Sequence, residues 1–390
     1  MTFAHLANTN RQQHGVGDSS RKDGIPRQPW IDWLKVAGMQ LILFGHTGGE
    51  SMLPRFFSPI NAKQLGVAFF IFATAFTLTH EKRRGVRVVF ERFFEVAYLG
   101  IFLCMVLSLI HWYTRGDLLE SNYLPYIFGL NVYWENAFPA NPSTWYVGMY
   151  FHLLCLWAVL LRWIPLNWVT LLIALGTEIF VRAGWLGLQR DYNAYMSVTN
   201  WISVFLMGRL AGEHASILDT AAPTSTAASQ WGPPKASWPI AVLAATMLLG
   251  NHAIVQSLGI THSNPFGRIP TKSQLISALV TSTHITFLYL AFTAIVVRLL
   301  ARAPENRSIR FLASNTLWVF LCHMPVRDWL TPYYYSLIPG WPRQIFNFFL
   351  FFVALAYTSK LVRWLLQVGR MKEWVAGRGR WLKQQADWWR

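Results

Sequence analysis

Charge is what this sequence has least of. Charged residues make up 13% of 390, about half the usual share, too few to cover the surface of one large soluble domain. Acids are scarcest, with 18 Asp and Glu against 34 Lys and Arg. The net charge of +16 and the pI of about 10.0 therefore reflect missing acids and do not indicate a nucleic-acid-binding surface. Cysteine is nearly absent, at three residues, and none sits in a CxxC pair, which excludes a disulfide scaffold. Histidines show no HxxH or HxxxH spacing, so no metal or haem centre is supported. The apolar share of 53% excludes a disordered chain.

What is abundant is long apolar runs and aromatics, including 20 Trp. A bilayer core needs about 20 apolar residues per helix. Ten runs qualify, over 30–47, 64–80, 93–112, 144–163, 166–183, 197–213, 237–257, 274–300, 311–331 and 343–366. The expectation is an all-α polytopic membrane protein of about ten transmembrane helices. Asn122 to Phe138 is apolar but broken by Pro, Gly and Asn. It reads as a loop lying at, or dipping into, the membrane.

Basic residues test this parse. With ten spans and the N-terminus inside, the outside segments hold Arg55, Lys63, Arg115, Arg182, Arg190, Arg268, Lys272, Arg327 and Arg343. Lys35 lies within the first span, and every other Lys and Arg falls inside. Both termini are therefore expected in the cytoplasm. Residues 1–29 read as a disordered cytoplasmic tail with no cleavable signal peptide, and 30–367 as the membrane domain. A cytoplasmic linker is expected at about 215–237. Residues 368–390 form a basic, Trp-rich cytoplasmic tail, suited to an interfacial helix on anionic lipid or to simple solvation.

Ionisable groups inside spans are costly and mark candidate sites. In the first span Lys35 and His46 are eleven residues apart, about 1100° of helix, or roughly 20° past three full turns. They share a face and are separated by about 16 Å of rise. Lys35 also suits a snorkelling anchor, and His46 a packing or capping role. Asp32 lies one turn before Lys35 and can pair with it. After the second span, Arg84 and Arg87 are spaced to share a helical face and grip a phosphate or pyrophosphate. The same loop also serves as a positive-inside signal. Trp145 and Tyr146 open the fourth span, where belt aromatics are common. His323 lies near the outer end of the ninth.

At these residues the chain resembles the acyltransferase 3 family of integral-membrane acyltransferases, over about residues 28–367. The stretch IDWLKVAGMQLILFGH is similar to the family's first helix, where a basic residue precedes a histidine by eleven positions. Those residues are Lys35 and His46 here. Arg84 and Arg87 match its Arg-x-x-Arg motif. VAFFIFATAF, TWYV and LWVFLCHMPV resemble its later segments. Two departures stand out: Thr74-Ala75 replaces a Ser-Gly, and WYVGMYFHLL lacks the Glu that follows the Trp motif in one branch.

The resemblance implies transfer of an acyl group, most commonly acetyl, from cytoplasmic acyl-CoA to a hydroxyl of an extracytoplasmic or lipid-linked glycan. It implies a multi-pass protein of the cell inner membrane that works beside polysaccharide biosynthesis proteins. Acyl-CoA would be a donor substrate, with no permanently bound cofactor, no metal and no nucleic acid. Under it, His46 is the catalytic residue, and Lys35, Arg84 and Arg87 bind the CoA phosphates. Trp145, Tyr146 and His323 contact the acceptor. Succinyl transfer to periplasmic glucans, a glycan or lipid transporter, and a structural or haem-carrying membrane protein stand as alternatives.

Overall fold

The computed structural model describes residues 28–52, 62–79, 81–116, 124–129, 132–133 and 144–221, positions 242, 246, 249 and 250, and 274–388. Among the described residues there is no strand. The helices are α1 (Pro29–His46), α2 (Ala62–Thr79), α3 (Gly85–Arg115), α4 (Trp145–Leu161), α5 (Trp168–Gly187) and α6 (Asp191–Met196). They continue as α7 (Ile202–Ala221), α8 (Gln274–Leu300), α9 (Arg307–Tyr334), α10 (Gly340–Leu365) and α11 (Val368–Trp388). Five of them, α2, α3, α5, α8 and α10, are long and apolar enough to cross a membrane by length and composition. The other long helices carry more polar side chains: Asp32, Lys35 and His46 on α1, and Asn315, His323, Arg327 and Asp328 on α9.

Three expectations change in detail. α3 starts at Gly85, not near residue 93, so Arg87 is helical and Arg84 is the N-cap, with φ −58° and ψ 135°. α7 runs to Ala221 and overlaps the start of the expected linker; residues 222–241 lie outside the described set, as do 1–27 and most of the 237–257 run. The tail after 367 is a helix, α11, one of the two forms expected for it. Of the loop 122–138, the described part turns back into the bundle. Ile127 is fully buried, and a Cβ on Gly100 of α3 would come within 2.9 Å of it.

The centre of the bundle is α2, buried over 72% of its length and held between α1 and α7 by small residues. A Cβ on Gly66 would stand 2.4 Å from the Gly38 carbonyl oxygen of α1. One on Gly208 of α7 would stand 2.5 Å from the Phe72 carbonyl oxygen. Lipid-embedded helices gain no hydrophobic advantage from packing on one another, so close backbone approach through glycine and alanine supplies the contact. The mixture of Gly, Ala and Phe along GVAFFIFATAF serves this: Ala68, Ala73 and Ala75 are fully buried. The outward faces are apolar. Phe102, Met105 and Leu109 of α3, Leu172 and Ile173 of α5, and Phe349 and Leu361 of α10 are exposed, as a lipid-facing surface requires.

α1 and α2 run antiparallel, since Trp30 packs edge-on against Phe76, centroids 4.9 Å apart. The start of α1 therefore lies beside the end of α2 and the basic loop that follows. The same end collects other turns. Trp33 donates to the Pro304 carbonyl (2.9 Å), Arg162 to that of Arg83 (3.3 Å), and Lys372 of α11 to that of Glu91 (2.9 Å). This is the basic end. The far end of α1 carries His46.

The interior also holds an ion pair. Arg182 and Glu178 of α5 are both about 1% exposed and hydrogen-bonded at 2.9 Å. Glu178 accepts from the Ser203 backbone N–H (2.8 Å), and Arg182 donates to Thr286 of α8 and to the Asn200 carbonyl. Unpaired, either charge would be prohibitive here. Paired and hydrogen-bonded, they pin α5 to α7 and α8.

Candidate active site

α1 ends at His46, and its last turn is firmly held. Thr47 caps it, its N–H and its hydroxyl both donating to the Leu43 carbonyl, at 2.9 and 2.8 Å. Gln344 of α10 grips Thr47 twice: its Oε1 accepts from the threonine hydroxyl (3.0 Å), and its Nε2 donates to the threonine carbonyl (3.2 Å). Arg327 of α9 donates to the His46 carbonyl itself (3.0 Å), while its Nε bonds Asp328 (2.8 Å). Gly48 follows with φ +75°, a turn that glycine makes without strain. The imidazole is thus carried on a backbone held from three helices.

Facing it is His323 of α9, ring centroids 5.2 Å apart. His323 is 1% exposed. Its Nδ1 bonds the Phe320 carbonyl at 2.6 Å; since a carbonyl only accepts, that nitrogen carries the proton. In the neutral ring Nε2 is then a bare acceptor, and it has no hydrogen-bond partner among the described residues. Phe320 extends the cluster. It lies 5.6 Å from His323 and 5.3 Å from Tyr146, which is 6.2 Å from Trp145. Trp145 packs on Tyr195 (5.2 Å) and is only partly buried. One cluster thus joins His46, His323, Tyr146 and Trp145. A cavity of about 130 Å³ between α3 and α9, lined by Leu107, His111, Val326 and Trp329, lies near this end. Neither His46 nor His323 lines it, and no residue of α1 does, so it is not the space between those histidines.

The three cations of the sequence reading sit elsewhere. Lys35 is half-buried on α1, about 16 Å of helix from His46. Arg84 and Arg87 are exposed at the basic end, and Arg87 pairs with Glu91 at 2.7 Å. Arg83 is committed to Glu81 and Glu91. Its hydrogen bond holds the Glu81 carboxyl below its ordinary range, although partial burial pushes the other way. That pairing is therefore intact at neutral pH and is lost only as pH falls below the ordinary value of 4.5. Arg92, one turn further along α3, reaches back to Thr77 at 3.1 Å.

Sequence reasoning missed Arg327, Gln344, Thr47 and Phe320, which hold or extend the histidine pair. It also set Arg182 outside the membrane. For Arg182 a signal existed: Glu178 lies four residues earlier in an apolar run, the spacing of a helical ion pair. For Gln344 and Arg327 there was none, because their partners at the end of α1 lie some 300 residues away in sequence.

An all-helical bundle with lipid-compatible faces, a buried His323 facing a partly exposed His46 at one end and cationic loops at the other fits a membrane enzyme of group-transfer type. The acyltransferase domain of the acyltransferase 3 family matches residues 28–361, and the chain belongs to that family. It is a membrane acyltransferase. No curated protein and no solved structure matches it.

Proposed function

We propose that the protein is an O-acyltransferase of the cell inner membrane. It moves an acyl group, acetyl in the simplest case, from cytoplasmic acyl-CoA to a hydroxyl of an extracytoplasmic or lipid-linked glycan. In this reading the bundle crosses the membrane ten times and the basic end faces the cytoplasm, with both termini. The observation that carries it is the pairing of His46 with His323 at the far end of the helix that bears Lys35.

CoA carries phosphates at one end and its thioester at the end of a long flexible arm. Arg84 and Arg87, with Lys35 deeper along α1, hold the phosphates by charge-assisted hydrogen bonds. The thioester then reaches the histidines. The acceptor hydroxyl attacks the thioester carbon as His46 takes its proton; the new C–O bond forms, the C–S bond breaks, and the proton passes to the departing thiolate. In a two-step course His46 first accepts the acyl group and then passes it on. His323, whose Nε2 is an acceptor, orients the incoming hydroxyl. Trp145 and Tyr146 offer ring faces to the sugar.

The test is mass spectrometry of surface and secreted glycans from cells with and without the gene. One acyl mass should vanish, its value naming the donor and the affected fraction naming the acceptor. Identical glycan masses would overturn the proposal.

A further inference from the structure

The tail helix α11 takes no part in the proposed chemistry. The helix before it, α10, ends on exposed Leu361, Trp364 and Leu365, the side chains expected where a spanning helix meets the lipid boundary. The helix then breaks. Gln367 stands at φ +46°, a left-handed conformation that a side chain disfavours and that surrounding contacts must maintain.

Those contacts come from α3. Tyr98 donates to the Leu366 carbonyl (3.3 Å), Arg363 pairs with Glu95 (2.5 Å), and Lys372 donates to the Glu91 carbonyl (2.9 Å). Val368 is buried and Lys372 half-buried, so α11 has an inner side. Its other side is uncovered. Arg370, Trp374 and Arg378 follow one another at intervals of four, within about 80° of helix arc. All three are exposed, Trp374 by 59%. The Arg378 guanidinium stands over the Trp374 ring, 5.5 Å from its centroid, and Arg370 bonds the neutral Gln367 side chain (3.2 Å). Neither contact neutralises a charge. Glu373 is the exposed acid among the described side chains of this helix. Over all of α11 the sequence sets Arg370, Lys372, Arg378, Arg380 and Lys383 against Glu373 and Asp387.

An indole between guanidiniums suits the surface of a bilayer, where the ring enters the acyl boundary and the cations meet lipid phosphates. This side of α11 also follows directly on the lipid-facing end of α10, a continuity that favours lipid over a protein partner. We propose that the Arg370–Trp374–Arg378 face of α11 binds anionic phospholipid headgroups. Through Lys372 and Arg363 the same contact braces the first turns of α3. It rests on the membrane reading of the bundle and on no step of acyl transfer.

The test uses the full-length protein with Cys104, Cys155 and Cys322 replaced and Gly377→Cys carrying a polarity-sensitive fluorophore. A Cβ at Gly377 meets nothing within 4 Å, and the position is about 60° of helix arc from Trp374. In phosphatidylcholine vesicles with increasing phosphatidylglycerol the emission should shift to the blue, and lipid with a headgroup nitroxide should quench it. Arg370→Gln and Arg378→Gln should each raise the phosphatidylglycerol needed for half the shift about fivefold. Emission that stays that of the dye in water, a shift as large in phosphatidylcholine alone, or an unchanged response in both arginine variants overturns the proposal. A shift brought by coenzyme A and not by phosphatidylglycerol overturns it too, and makes the face part of the donor site.

Where the cysteine-free background does not fold, native mass spectrometry of the wild-type and Arg370→Gln/Arg378→Gln proteins serves. The double variant should retain less phosphatidylglycerol and as much phosphatidylcholine; equal retention of both lipids overturns the proposal. Neither readout uses turnover, so loss of the lipid face and loss of the acyltransferase reading remain separate results.

Discussion

His46 owes its position to backbone bonds rather than to bonds at its ring. Thr47, Gln344 and Arg327 hold the peptide groups that follow it, leaving the imidazole facing His323. Gln344→Leu should therefore lower kcat while leaving the KM for acyl-CoA near the wild-type value, because in the proposed reading the donor is held at the other end; steady-state kinetics separate the two. At the basic end the expectation is reversed. Arg84→Ala and Arg87→Ala should each raise the KM for acyl-CoA about tenfold with little change in kcat, and the effect should shrink as salt is added. Changes in abundance alone would make the loop topogenic only. Within the bundle, Arg182→Met leaves Glu178 buried without its partner. Breaking a buried pair this way costs about 3–5 kcal/mol, so the purified variant should melt well below the wild type. The sequence marked His46, His323 and Tyr146 as candidates because polar or aromatic residues in apolar runs are conspicuous. It could not show that Phe320 joins them, since Phe320 looks like any other aromatic in a span.

At the scale of elements, α2 is the piece on which the bundle depends. Its contacts with α1 and α7 run through Gly66 and Gly208, where a side chain has no room. Gly66→Leu would drive a Cβ into the Gly38 carbonyl and the Ile42 side chain, 2.4 and 2.8 Å away. The helices must part, and a fall of several degrees in the melting midpoint, or loss of folded protein, is expected on purification. Helix starts fixed by capping chemistry were not read from hydropathy. Asn167 accepts from the Thr170 N–H to start α5, and Asn306 from those of Ser308 and Ile309 to start α9, ahead of the run expected from 311. The early start of α3 was missed as well. Its first turn is polar and basic, so hydropathy placed the boundary at the lipid rather than at the backbone. α6 and the inward turn at Ile127 escaped for a related reason. Short elements held by tertiary contact have no periodicity of their own.

For the whole molecule, the proposed reading gives the two ends of α1 two jobs: cationic capture at one and proton transfer at the other. The helical class and the basic end were readable from composition and charge placement, because a bilayer imposes both. The meeting of α1 with α9, nearly 280 residues apart, was not. The proposed topology predicts that Lys82→Cys and Ser336→Cys, in a background lacking Cys104, Cys155 and Cys322, react with an impermeant maleimide from opposite sides of the membrane. Labelling of both from one side would break it. The most direct test of the account is complementation of the gene-deleted cell with His46→Ala, with membrane insertion confirmed and surface glycans weighed. The missing acyl mass should stay missing, whereas the wild-type gene restores it. Restoration of that mass by correctly inserted His46→Ala protein would contradict the assignment of acyl transfer to this imidazole.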